Sequence, residues 1–271
     1  MKRTLLSISL MALLGGFTGA DKNLYPFIVN TSFGKGEQLY YNIYFGIFSV
    51  GRAITKIDDK IFSMNSRPCY KVDGFGATSG WISWLDKVDD QWGAYIDTAA
   101  LVTHVSYRKL KEGPFRKDEL VTYDHVNSKA EVKLKNEETG LYDPPKYYKT
   151  PEHVRDIVGG FIYLRAIDLF KYNIGDTITV AGFFEDTAYK LKIVYGGTEK
   201  IRTKLGKILC HKLIPMVPDN RLFNGKNSVT AWLSADNNQI PIKVQAKMFI
   251  GSTGIELEEF RGLRNQLKVI R

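Results

Sequence analysis

Two cysteines, four histidines and nine prolines in 271 residues leave little material for several kinds of chemistry. Two cysteines far apart in the chain cannot supply a paired-cysteine zinc knuckle, and no two-histidine helix motif is present. A phosphate-binding loop and a nucleophile elbow are missing as well. The nearest approach to a nucleotide loop, "GFGATSG" at 74–80, has the wrong glycine spacing and no helix after it, so it reads as a flexible loop. His104, His125, His153 and His211 are scattered singly, and a lone histidine is more often structural than a ligand. These absences imply no metal, no cofactor and no assignable catalytic residue. Beyond the first residues no stretch is apolar enough to span a bilayer. With no recognition-helix pattern either, nucleic acid is not an expected partner.

The start of the chain is distinctive. Met1-Lys2-Arg3 is basic, residues 4–16 are mostly apolar but interrupted by Ser7, Ser9 and two glycines, and Thr18-Gly19-Ala20 offers small residues for cleavage. This predicts a Sec-type signal peptide over 1–20. No lipid-anchor cysteine follows it, so the expected location is periplasmic or secreted, with no transmembrane anchor. The chain is basic, 38 Lys and Arg against 29 Asp and Glu, but its cations are dispersed along strand-like runs, the pattern of a solvated sheet face. In an oxidising compartment Cys69 and Cys210 could form one disulfide closing a long loop, or stand as buried free thiols. Sequence leaves both open.

What the sequence has in abundance is short runs of Tyr, Phe, Val and Ile alternating with polar residues and separated by Gly, Asn and Asp, the signature of antiparallel sheet. The predicted fold is all-β, mostly antiparallel, in two weakly repeated curved-sheet halves forming a sandwich or half-barrel. These halves, about 36–136 and 176–263, are joined by a loop and helix over 137–175, making a single domain over 21–271. The one expected α-helix covers about 151–172, with Thr150 as cap, Pro151 in the first turn and Asn173 to Gly175 as the stop. Tyr147-Tyr148 and Trp81/Trp84 could line a groove, although aromatics at this density are also expected in a sheet core.

The segment "AWLSADNNQIPIKVQAK" at 231–247 echoes "QWGAYIDTAALVTHVSYRK" at 91–109. Trp92 and Trp232, Asp97 and Asp236, and Cys69 and Cys210 keep nearly one offset: 140, 139 and 141 residues. A catalytic acid is rarely duplicated together with its strand pair, whereas an Asp-led turn would be. Trp92, Asp97, Trp232 and Asp236 are therefore read as structural turn residues. In the helix, Val154, Ile157, Val158 and Phe161 form an apolar stripe into which Arg165 and Asp168 also fall. A charge facing the core needs a partner. Arg165 is expected to pair with Asp168 or with a strand carboxylate, or to hold an anionic headgroup in a cavity wall. Gly159-Gly160 should admit a close neighbour.

"RDIVGGFIYLR", "IGDTITV", "EKIRTKLGKILCHKLIP" and "VTAWLSADNNQIPIKV", with "GEQLYYNIYFGIFSVGRA" near the start, resemble an exported bacterial family, the domain of unknown function 3108 (DUF3108). The likeness implies that Asp156 and Arg165 bracket the helix and that Trp232 and Asp236 mark the second turn. At fold level the second turn, followed by Ile-Pro-Ile, also faintly resembles the curved-sheet lipoprotein and lipid carriers of the periplasm. The first functional reading is a non-enzymatic envelope protein binding a lipid, a glycan or an outer-membrane protein. A structural or adaptor module without a small ligand is the second. A glycan-acting hydrolase is third, because it would need two convergent carboxylates that no motif here supplies.

Overall fold

The computed structural model describes residues 25–80, 87–216, 228–248 and 251–270; the expected leader and the Trp81/Trp84 pair lie outside them. In chain order its elements are β1 (Gln38–Phe45), β2 (Phe48–Met64), β3 (Arg67–Thr78), β4 (Asp89–Asp97), β5 (Thr103–Glu112), β6 (Phe115–Asp124), β7 (Lys129–Leu134) and β8 (Lys146–Lys149), then helix α1 (Ile157–Ala166) and a short 3-10 turn at Leu169–Lys171. After these come β9 (Thr177–Phe184), β10 (Thr187–Thr203), β11 (Gly206–Pro215), β12 (Val229–Ser234), β13 (Pro241–Lys247), β14 (Ser252–Arg261) and β15 (Val269–Ile270).

The strands form two meanders in one continuous sheet, so of the two expected architectures the half-barrel holds and the sandwich does not. The first meander runs β1 to β8 and the second β9 to β14; they meet where β1 pairs antiparallel with β14. Each meander contains one 17-residue strand, β2 or β10, whose pairing slips at a bulge, between Ile57 and Ile61 and between Tyr195 and Thr198. An extra residue on one side of a ladder bends the strand and increases its twist, which lets strands this long wrap round a core.

This arrangement leaves β8 and β9 as the two sheet edges, and an unpaired edge exposes backbone groups that want partners. Here the seam is bridged rather than left open. Arg155 N–H donates to Ala181 O (3.1 Å) while its carbonyl accepts from Phe183 N–H (3.0 Å). Phe183 packs against Tyr123 and Tyr148, and Tyr148 Oη donates to Asp186 (2.7 Å). Arg108 and Lys117 both reach Glu185 in the β9–β10 turn.

That bridging corrects the helix boundary. Residues 150–155 do not form a first helical turn, because Arg155 spends its backbone on β9. The helix starts at Asp156, whose carboxylate accepts from Val158 N–H (3.0 Å) and Gly159 N–H (2.9 Å), and it ends at Ala166 rather than near 172. A ten-residue helix is marginal by itself, so its position depends on what grips its ends. Gly159 has no room for a side chain: a Cβ there would strike Thr103 Oγ1.

Cys69 on β3 and Cys210 on β11 are buried free thiols, so the loop-closing disulfide is not formed. Burial pushes both thiols up to about 12, which keeps them protonated and unreactive at neutral pH.

Candidate functional site

Helix α1 packs against β3, β4 and β9 but leaves space between itself and the inner faces of β1 to β4 and β14. Beneath it is a cavity of about 340 Å³ with mainly apolar walls, inside the ~300–1,000 Å³ range of small-molecule sites. Its origin can be read in the inward-facing residues of paired strands. On β2 these run Ile57, Thr55, Ala53, and on β3 they run Val72, Gly74, Gly76, paired residue for residue. Side-chain volume falls along both strands, so the space under Ile157, Val158 and Phe161 stays empty. A Cβ on Gly76 would meet nothing within 4 Å, and one on Gly74 only Trp92 O at 3.8 Å. "GFGATSG" therefore belongs largely to a strand, not to a flexible loop, and two of its glycines floor the cavity.

Polar groups in the wall are few. Tyr41 Oη is buried with no hydrogen bond of normal geometry, although the Thr55 side chain stands beside it. Burial raises its pKa well above the ordinary tyrosine value, so the hydroxyl is a permanent donor. Asp90 accepts from Lys111 N–H (3.0 Å). Trp92 forms one side wall, with its ring stacked on Phe184 (5.9 Å) and the Arg108 guanidinium 5.1 Å from the ring centre.

Arg165 sits at the inner end, 1% exposed, and its partner is Glu37, 2% exposed, ahead of β1. The pair is bidentate, Nη1 to Oε1 at 2.5 Å and Nη2 to Oε2 at 2.8 Å, and Nη2 also donates to Asn238 O (3.2 Å). Of the expected alternatives, the pairing is thus with a carboxylate of the sheet domain. The Arg165–Asp168 pair does not form: Asp168 is outside α1, caps the 3-10 turn through Phe170 N–H (3.1 Å) and lies near Lys171. With its fork occupied, Arg165 holds helix to sheet and has no free face for an anionic headgroup.

Both Asp-led turns grip α1 from the end opposite the β1–β2 hairpin. In the β4–β5 turn, Asp97 accepts from Ala99 and Ala100 N–H (2.8 Å each) and pairs with Arg67. That turn's Leu101 carbonyl receives Arg155 Nε (2.7 Å), and Thr103 Oγ1 donates to Asp156 (2.7 Å). In the β12–β13 turn, Asp236 accepts from Asn238 N–H (3.0 Å), Ser234 Oγ (2.8 Å) and Lys268 N–H (3.0 Å). Gln239 Nε2 then donates to Arg165 O (2.7 Å) and Ile167 O (2.8 Å), carbonyls at the helix end that have no partner within it. Trp92 and Trp232 are mid-strand residues, not turn residues. Trp92 walls the cavity, whereas Trp232 does not line it: it is packed in the core cluster that reaches the cavity wall through Tyr41, and it donates to Glu199.

Residues 40–258 match the family described as "Protein of unknown function (DUF3108)". The chain belongs to that family. None of the curated proteins compared matches the DUF3108 chain. Among solved structures it is similar to a β-barrel-like protein of the domain of unknown function DUF1849 from Brucella abortus, with TM-score 0.55 and 11% identity over 88% of this chain and 98% of that one. At that identity the likeness concerns fold alone. Two others have lower scores over 88% of this chain and 99% of theirs: a Bacteroides fragilis protein described as exported, with a YmcC-like fold (0.34, 10% identity), and a Parabacteroides distasonis protein described as a lipoprotein (0.29, 12% identity). Among the described residues of the DUF3108 chain, no helix is long and apolar enough to cross a membrane, and no group of three His, Cys, Asp or Glu side chains could hold a metal ion.

Two buried histidines are expected to make the fold of the DUF3108 chain acid-sensitive. His125 is buried against Thr103 O (2.8 Å) and next to His104, and His211 is buried against Tyr195 Oη (2.9 Å). Burial lowers both to about 4. The unfolded chain binds these protons near pH 6.5 and the fold refuses them until about 4, so stability falls as pH drops through that window. Asp156, whose carboxyl burial raises, works in the opposite direction but is one group against two. The melting temperature is expected to fall clearly between about pH 7 and about pH 4.5, with a loss on the order of a few kcal/mol. A flat profile would mean that one or both rings are solvated.

Proposed function

We propose that this protein is an exported, non-enzymatic binding protein of the bacterial envelope that holds the apolar part of an envelope lipid in the cavity beneath α1. The observation that carries this reading is the set of shrinking inward side chains, Ala53, Gly74 and Gly76, which leaves apolar space where a sheet core is ordinarily filled. Apolar walls with few polar groups suit an acyl chain better than a glycan, whose hydroxyls would find few partners there. The basic, interrupted leader-like start supports export. An adaptor without a small ligand has no use for such a cavity. The hydrolase reading is weakened because Glu37, one of the two carboxylates in the wall, is taken up by Arg165. We also infer that the two meanders are a degenerate repeat, since each contributes one Asp-led turn to the grip on α1.

The test is native mass spectrometry with organic extraction on protein purified from its own envelope, wild type against Gly76→Leu and Gly74→Leu. Neither glycine has a backbone conformation closed to other residues, and the added side chains enter open space. Wild type is expected to carry a stoichiometric lipid, and the variants to lose most of it at unchanged melting temperature. An empty wild type, or a leucine variant that keeps its lipid, would remove the cavity as the site.

A further inference from the structure

The two ends of the half-barrel differ in chemistry. One end carries the polar, Asp-led turns that hold α1. The other carries the β1–β2, β5–β6 and β9–β10 turns; backbone bonds from Ser79 N–H to Val50 O (3.0 Å), Thr78 N–H to Val88 O (3.1 Å) and Gly113 N–H to Lys87 O (3.0 Å) run along the rim from β2 to the β5–β6 turn, and Arg108 and Lys117 reach Glu185 in the β9–β10 turn. At this end Ile47 is 92% exposed and Phe115 50%, each at or next to a hairpin tip. Water gains nothing from such side chains at a turn, where polar residues are the norm. Beside Phe115 lies a cleft of about 390 Å³ with Lys109, Lys111, Arg116, Lys117 and Lys135 in its lining against Asp118 and Glu137. The cavity under α1 also reaches toward this end, because its inward residues run from buried Ile57 and Val72 to Ala53, Gly76 and Asp90 nearer the hairpin tips.

We propose that this rim is a membrane-docking edge, with Ile47 and Phe115 entering the interfacial layer of an anionic bilayer and Lys109, Lys111, Lys135 and Arg116 contacting its headgroups, while Lys117 stays paired with Glu119 and Glu185. Apolar tips combined with neighbouring cations are the composition of surfaces that lie on anionic lipid. The tips protrude separately instead of forming one flat patch; a deformable lipid surface receives separate prongs, while a folded partner would need a matching socket for each. The cation cleft is complementary to an anionic headgroup layer, and the shared end puts the cavity entrance where its lipid would come from. Docking does not depend on the cavity reading, which concerns occupancy.

The experiment is co-sedimentation of the full chain with phosphatidylethanolamine–phosphatidylglycerol vesicles and with phosphatidylcholine vesicles, at low and high salt. Wild type is expected to bind the anionic vesicles, to lose most of that binding in high salt as screening shortens, and to bind phosphatidylcholine weakly. Ile47→Asp and Phe115→Asp should each reduce anionic binding about tenfold, and Lys111→Glu with Arg116→Glu by tenfold or more. All these positions are surface residues, so melting temperatures should stay at the wild-type value. Gly76→Leu should still dock, which separates failure of the cavity reading from failure of this one. Absence of vesicle binding, or binding unaffected by the four substitutions, overturns the proposal. So does a concentration-dependent dimer abolished by Ile47→Asp, which would make the tips an interface between copies.

Discussion

Arg165→Ala should destabilise the protein by about 3–5 kcal/mol, because removing one member of a buried ion pair leaves the other charge without compensation. Glu37 would be stranded at 2% exposure, and Asn238 O would lose its donor. The same physics predicts rescue. In an Arg165→Met/Glu37→Leu protein both charges are gone and the volume is kept, so most of the loss should be recovered. Equilibrium unfolding in urea measures both, and the coupling between the two sites should be strongly non-additive. If Arg165→Ala kept wild-type stability and instead released a bound lipid, the guanidinium would be a ligand group after all and its pairing with Glu37 incidental.

Asp97→Ala is the second large effect, about 3 kcal/mol or more. Asp97 is 0% exposed; burial alone would raise its carboxyl, but hydrogen bonds from His104, Arg67 and the Ala100 and Ala99 N–H groups outweigh that and hold it below the usual carboxylate range. Truncation would leave two turn N–H groups and a partly buried guanidinium unpaired, each costing about 1–3 kcal/mol when it cannot reach water. It would also loosen the Leu101 carbonyl that receives Arg155, and so the start of α1. Because a depressed carboxyl pKa contributes stability that is lost only as pH falls below the unfolded value, the wild-type advantage over Asp97→Ala should persist at neutral pH and shrink below about pH 4. Asp236→Ala, with three comparable bonds, should show a loss of similar size. A cost under about 0.5 kcal/mol, the range of ordinary surface substitutions, would show that the turns fold without these side chains.

Much of this architecture was legible in local pattern. Alternation of period two marked nearly every strand, and Asp97 and Asp236 read as turn residues, as they are, whereas Trp92 and Trp232, read with them, lie within β4 and β12. The inward position of Arg165 on the helix announced a buried charge. The errors have a common cause. Thr150-Pro151 looks like a helix start, but β9 competes for the Arg155 backbone from 26 residues away in the chain. Asp168 lies three residues from Arg165, yet the bidentate partner is Glu37, 128 positions distant. Gly74-x-Gly76 carries a readable signal, two missing side chains on one strand face, but glycine is also the commonest loop residue. Only the pairing of β3 with β2 and β4 sets those glycines next to Ala53 and Trp92.

By itself the sequence determined the strand class, the Asp-led turns, a helix between the two meanders and the need for a partner to Arg165, because side-chain alternation, turn chemistry and the cost of burying charge act over a few residues. Tertiary structure alone decided the identity of that partner, the bridging of the β8–β9 seam, the free state of the cysteines and the cavity under α1. These depend on strand register and on how far the sheet curls, which arise only when segments far apart in the chain compete for the same backbone and space.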